Sequence, residues 1–215
     1  MNSDKPRGQA PLLQLYYAPN SCALASHLAL ELSGLAYEAK RVDFAKNEQR
    51  SPEFLALNPK GRVPALLTER GVLTETPAIL VYICQARPEA QLAPLHDAFA
   101  FAQLQSFNSY LCSTVHVAHA HRYRGHRWAD SAEAIEAMKQ KVPQNMRDCF
   151  RLIEQDYLKG PWVLGEQLSV CDLYLFTIGR WLPGDEVDIN EFPSVAAHAA
   201  RVQQLEGVQR VLARQ

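Results

Sequence analysis

Apolar and polar positions follow short strand-like and helical periods up to about residue 88, and helical periods alone beyond it. Gln14 to Tyr17 is a short run closed by Pro19 and Asn20, which predicts a buried strand and a turn. Leu24, Leu28 and Leu32 recur at one-turn spacing before Gly34, predicting an amphipathic helix that begins about Cys22, with Asn20 or Ser21 able to cap it and Gly34 to stop it. Tyr37 to Phe44 alternates as a strand does, and Ser51-Pro52-Glu53 opens a short helix. Leu66-Leu67 and Val72-Leu73 flank the turn Glu69-Arg70-Gly71, a hairpin pattern. Thr76 can cap a helix with Pro77 at its first position, ending at Arg87-Pro88.

Strand, helix, strand, helix, strand, strand, helix is the order of a thioredoxin-like α/β domain, placed over residues 12–88. An all-α domain is placed over residues 96–215, with Glu89 to Leu95 as linker. Phe99, Leu104, Phe107, Leu111 and Val115 mark its first helix, to about Tyr123. A second helical stretch runs from Ala132 to Leu158, in which Pro143 should kink or split the helix. Ser169-Val170-Cys171-Asp172 is a capping box with Asp at its last position, worth about 1 kcal/mol, opening an apolar helix to Leu182. Pro193 starts the last helical region. Met1 to Pro11 has no periodicity and reads as a flexible arm.

Composition narrows the classes. With 215 residues, 47% of them hydrophobic, the chain can bury a full core. A net charge of -1 without a long Lys/Arg run argues against nucleic acid or an anionic membrane surface as partner. No apolar run is long enough to span a bilayer and no secretion signal opens the chain, so the cytoplasm is expected. Five scattered cysteines without a C-x-x-C pair argue against a disulfide framework or a structural zinc site.

One cysteine stands apart. Cys22 falls at a helix start, where backbone N–H groups and the helix dipole favour a thiolate, its own or a ligand's. Cys112, His116 and His119 share one helical face, which can be read as a metal site or as the polar lining of a pocket; the lining is preferred and no metal is expected. Arg122, Arg124, Arg127 and Trp128 form a basic, aromatic cluster that could recognise an acidic substrate but reads more simply as a solvated helix end. At Asn58-Pro59-Lys60-Gly61-Arg62-Val63-Pro64, a cis Val63-Pro64 bond would bend the chain and leave the Val63 backbone free for an extended ligand.

These motifs resemble the glutathione transferase family, most closely its bacterial beta class. The resemblance rests on Tyr17-x-Pro19-x-Ser21-Cys22-Ala23-Leu24-x-Ser26-His27, on Asn58 to Leu66, on Leu73-Thr74-Glu75-Thr76 before a helix, and on Ser169-x-x-Asp172 with Arg180-Trp181, in the family's order. It implies a thioredoxin-like domain that binds glutathione as cosubstrate, a helical domain that takes a small hydrophobic electrophile, and a cytosolic homodimer active in detoxification. The residues it implies as catalytic are Cys22 and His116, with Tyr17 and Ser21 assisting at the sulfur. Val63 with cis Pro64 matches the backbone partner of the cysteinyl part, Glu75 and Thr76 the pair at the γ-glutamyl end, and Lys46 the lysine near the glycyl carboxylate. Arg62 and Ser109 complete the implied binding set, Ser109 standing where related enzymes can have Asn, and Ala23 where the beta class often has Ser. The implied reaction is conjugation of the glutathione thiolate; a glutathione-dependent thiol-disulfide oxidoreductase or peroxidase, and a non-catalytic glutathione or ligand carrier, are the alternatives.

Overall fold

The computed structural model describes residues 13–215; the expected arm from Met1 to Pro11 lies outside the described residues. Four strands, β1 (Leu13–Tyr17), β2 (Tyr37–Arg41), β3 (Ala65–Thr68) and β4 (Gly71–Thr74), form one sheet in the order β2-β1-β3-β4. β1 runs parallel to β2, with Leu15 opposite Ala39, and antiparallel to β3, with Leu15 opposite Leu66. The β3–β4 hairpin closes on Thr68 opposite Gly71. Three helices belong to this layer: α1 (Ala23–Ser33), α2 (Pro52–Leu57) and α3 (Thr76–Ala86). The sheet and its helices have the thioredoxin-like arrangement.

β1 sorts its side chains by parity, as a pleated strand must. Tyr17 meets His27 of α1 on one face, while Tyr16 meets Phe54 of α2 on the other. α1 differs from the amphipathic helix expected. Nearly its whole circumference is buried, and Leu32, on the predicted stripe, is one of its few half-exposed residues. The cause is tertiary: α1 packs on the sheet and α3, and its outward side is covered by two later helices, α7 (Val170–Gly179) and α9 (Glu206–Leu212). Gly34 ends α1 at φ +70°, the left-handed region where a Cβ would be strained.

The helical part adds α4 (Ala98–Tyr110), α5 (His116–Arg124), α6 (Ala132–Leu152) and α8 (Pro193–Gln203). A π-helical turn, Leu111–Val115, joins α4 to α5, and a second, Ile153–Tyr157, extends α6. Of the two outcomes expected at Pro143, a split does not occur, since α6 runs unbroken through it. Val142, Met146 and Phe150 are fully buried on one stripe of α6, each worth about 1.5–3 kcal/mol. Together they exceed the roughly 3 kcal/mol that an internal proline costs.

α7 is buried along its whole length and forms the centre of the helical core. Its capping box is present: the Ser169 Oγ accepts from the Cys171 N–H, and the Asp172 carboxylate accepts from the Ser169 N–H at 2.7 Å. Asp172 does more than cap, because it also accepts from the Val163 N–H at 2.8 Å and lies 2.9 Å from the His198 Nε2. That knots α7, α8 and the loop before them around one buried carboxylate.

Candidate active site

The turn Pro19-Asn20-Ser21 delivers Cys22 to the start of α1 at the junction of the sheet layer and the helical part. Ser21 holds the turn: its hydroxyl donates to the Ala18 carbonyl at 2.7 Å and accepts from the Ala23 N–H. That hydroxyl proton is therefore used inside the turn. From the other side, the Trp181 Nε1–H donates to the Asn20 carbonyl at 3.0 Å, and Trp181 also stacks on His119 and meets His116 at a tilt of 57°. Arg180-Trp181 thus supports the site rather than lining it with charge.

Opposite Cys22 stands the Val63-Pro64 bend, with the cis peptide expected from the sequence. Val63 precedes β3, so its backbone lies outside the strand pairing. The Cys22 thiol donates to the Val63 carbonyl at 3.6 Å. Burial raises the Cys22 pKa, outweighing the Thr76 hydroxyl, the Arg124 guanidinium and its own backbone N–H, which favour the thiolate. The helix start does not win: in the free protein Cys22 is a thiol.

Next to it, β4 runs into α3 through Glu75, which holds φ +70° without being glycine, a conformation that is costly and concentrated at ligand sites. Glu75 rather than Thr76 occupies the cap position; Thr76 is the first helical residue and is buried. Lys60 ties the segment together, donating to the Thr74 Oγ1 at 2.8 Å and to the Glu75 carboxylate at 2.5 Å.

α5 supplies the facing wall. His116, Ala120 and Arg124 lie one above another at i, i+4 and i+8, and all three line a cavity of about 310 Å³ together with Cys22, Val63 and Thr76. A second lobe of about 280 Å³ continues past Cys22 to Ser21, Arg50 and Trp181. Burial, with the charges of His119, Arg124, Arg62 and Arg127 adding to it, lowers the His116 pKa to about 4, so its imidazole is neutral at neutral pH. His119 leaves the cysteine-histidine face to pair with the buried Asp185 at 2.7 Å, and among the described residues no cluster of three His, Cys, Asp or Glu could hold a metal.

The structure gathers Cys22, His116, Ser21, Arg62, Val63, Pro64, Glu75 and Thr76 on the two lobes. Three predicted residues lie elsewhere. The Tyr17 hydroxyl donates to the Arg214 carbonyl at 3.2 Å, beneath α1 and away from the sulfur site. Lys46 is exposed and paired with Asp43 at 3.5 Å. Ser109 is exposed on α4, its carbonyl accepting from Ser113.

The basic cluster also divides. Arg122, its side chain largely covered, pairs with the exposed Glu186, whereas Arg124, Arg127 and Trp128 line the first lobe. Cys112 lines it too, as the pocket-lining reading of the cysteine-histidine face expects, and so does Tyr174, which the sequence does not single out. The signal for Arg124 is its spacing of eight residues, two helical turns, from His116; Tyr174 has none, lying in a uniformly apolar helix.

Residues 11–85 match the glutathione S-transferase N-terminal domain, and residues 119–215 the glutathione S-transferase C-terminal domain. Glutathione S-transferase 1 of Dianthus caryophyllus is 43% identical over 186 residues, covering 84% of this chain and 82% of that protein. The chain belongs to the glutathione S-transferase family. Among solved structures, a Sulfitobacter glutathione transferase homologue with bound glutathione superposes with TM-score 0.92 at 44% identity, covering 94% of this chain and 98% of that one. A bacterial beta class glutathione S-transferase of Sphingomonas chungbukensis does so at 0.82 and 32%, with the same coverage.

Proposed function

We propose that glutathione lies along Val63, its γ-glutamyl end at Glu75 and Thr76, so that its sulfur reaches Cys22 and attacks a small electrophile held against α5. The chain is a glutathione transferase, and glutathione is its cosubstrate. The observation that carries the site assignment is the Cys22 thiol on the Val63 carbonyl, within one cavity that also holds Thr76 and His116. A neutral thiol there can turn from that carbonyl to donate to the glutathione thiolate.

Magnitudes assign the roles. A proton moved from a glutathione thiol near 8.5 to an imidazole near 4 would climb about 6 kcal/mol. His116 therefore positions the sulfur by a hydrogen bond, and the guanidinium groups of Arg62, Arg124 and Arg127 supply the field that stabilises the thiolate. Val117, Ala120 and Trp128 offer the apolar side on which an electrophile rests. The raised Cys22 pKa argues against a nucleophilic cysteine, and so against the thiol-disulfide alternative.

The same reading includes a homodimer, for which Phe99, 74% exposed on α4, offers an apolar contact, and a role in detoxification in the cytoplasm, a reducing compartment that suits unpaired cysteines. The test is conjugation of glutathione to 1-chloro-2,4-dinitrobenzene by wild type, Cys22→Ala and Cys22→Ser. Cys22→Ala is expected to lose about tenfold or more in kcat/KM, with Ser retaining part; an unchanged Cys22→Ala would refute the assignment.

A further inference from the structure

Four arginines, Arg50, Arg62, Arg124 and Arg127, line the two lobes of the cleft. Elsewhere, Arg122 pairs with Glu186, Arg147 with Glu191, Arg151 with Asp148, and Arg210 and Arg214 with Glu31, while Arg201 donates to the Pro161 carbonyl and Arg180 lies over the Phe176 ring; what sets the cleft four apart is that they converge on one cleft. Among the described residues, none of the cleft four pairs with a carboxylate. Glu75 is the one acidic residue lining the cleft, and Lys60 already engages it.

Glutathione meets only part of this charge. Its γ-glutamyl carboxylate goes to the start of α3, and the neighbouring ammonium matches Glu75. Its glycyl carboxylate faces the side of the cleft where Arg50 packs against Gly61, the Arg50 Nη1 lying 2.9 Å from where a Gly61 Cβ would sit. Arg62 adjoins Val63 on the same side, and the thiolate lies between the walls. Arg124 and Arg127 line both lobes from the α5 side; beyond the field they lend the thiolate, their guanidinium groups are left over on the Trp128 side for a second anion.

We propose that Arg124 and Arg127 bind the second substrate, and that this substrate is a flat electrophile bearing a carboxylate, its carboxylate on the two guanidinium groups and its plane against Trp128. The proposal rests on the transferase reading of the same cleft. Trp128 lines the first lobe beside both arginines and is held there by His121, whose ring centre is 4.3 Å from its own. A planar guanidinium fits a carboxylate with two parallel hydrogen bonds, which a point charge cannot do. The arginines also crowd one another: burial, followed by the charges of Arg124, Arg62 and Arg50, lowers the Arg127 pKa, and an anion among them offsets that repulsion.

The test compares 4-chloro-3,5-dinitrobenzoate with its methyl ester, each rate normalised to its uncatalysed reaction with glutathione. Wild type is expected to favour the acid by about tenfold or more in kcat/KM, and that preference to shrink as salt is raised. The acid-to-ester ratio should fall towards one in the Arg124→Gln/Arg127→Gln double variant and recover in part in Arg124→Lys/Arg127→Lys. A wild-type ratio near one overturns the proposal, and needs no variant to fold. So does a double variant with an unchanged ratio but a raised KM for glutathione, which would give both arginines to the cosubstrate. If neither compound is conjugated, the transferase reading fails, and calorimetric binding of the acid against the ester to wild type and double variant still decides the anion site: selective binding of the acid, lost in the variant, upholds it, and equal binding refutes it.

Discussion

The indole N–H of Trp181 donates to the backbone carbonyl of Asn20 at 3.0 Å, so a residue of the helical part fixes the turn that carries Cys22. The two parts of the chain share the site because one hydrogen bond and the ring stack behind it make the turn's position depend on both. Trp181→Phe keeps the ring and removes the N–H. It is expected to cost about 1 kcal/mol, seen as a melting temperature lower by about 2–4 °C, and to weaken glutathione binding about threefold or more by calorimetry.

Alkylation of Cys22 will report its protonation. Because burial holds the thiol above its ordinary pKa, the rate of iodoacetamide modification, followed by mass spectrometry of the Cys22 peptide, should still be rising at pH 9. A plateau reached below pH 8 would mean that the helix start dominates after all.

His27 and His116 couple stability to acid. Burial is the main cause in both, with Arg214 adding and Glu31 opposing at His27, and each has its folded pKa lowered to about 4 from 6.5. Between those values the unfolded chain binds protons that the folded chain does not, so the stability is full above pH 6.5 and is lost as pH falls towards 4. Melting temperatures measured from pH 7 to pH 4 should fall, and less steeply for His27→Asn than for wild type.

Asp172 is a buried carboxylate on which three groups depend. Its replacement by Ala leaves the Val163 and Ser169 N–H groups and His198 without their buried acceptor. Urea unfolding should show a loss of about 3 kcal/mol or more, while Ser169→Ala, which removes the cap hydroxyl alone, should cost about 1 kcal/mol.

Much of the fold was legible because local signals agreed with the final packing: turn residues between short apolar runs, Pro77 and Pro193 at helix starts, and the Ser169/Asp172 box. Two elements were decided by tertiary packing. α1 looked one-sided in sequence, yet it is enclosed by α7 and α9, which lie more than 130 residues away in the chain. Pro143 allowed a split that the buried stripe of α6 overrides. At the site, residues bound to a motif by close spacing, such as Cys22 with Ser21 and Val63 with Pro64, came together as read. Tyr17, two residues into the same motif from Pro19, did not, because strand parity turns its ring under α1.

The sequence by itself determined the family of folds, the cis bend at Val63 and the chemistry gathered near Cys22, since each depends on residue type and short spacing. Only the tertiary structure decided what that chemistry amounts to. Burial keeps Cys22 a thiol where the helix start alone favoured a thiolate, because desolvation opposes charge more strongly than the local dipole supports it. It also carried Arg124 and Arg127 from an apparent surface helix end to the cleft opposite Arg62, a juxtaposition across more than 60 residues that no local pattern encodes.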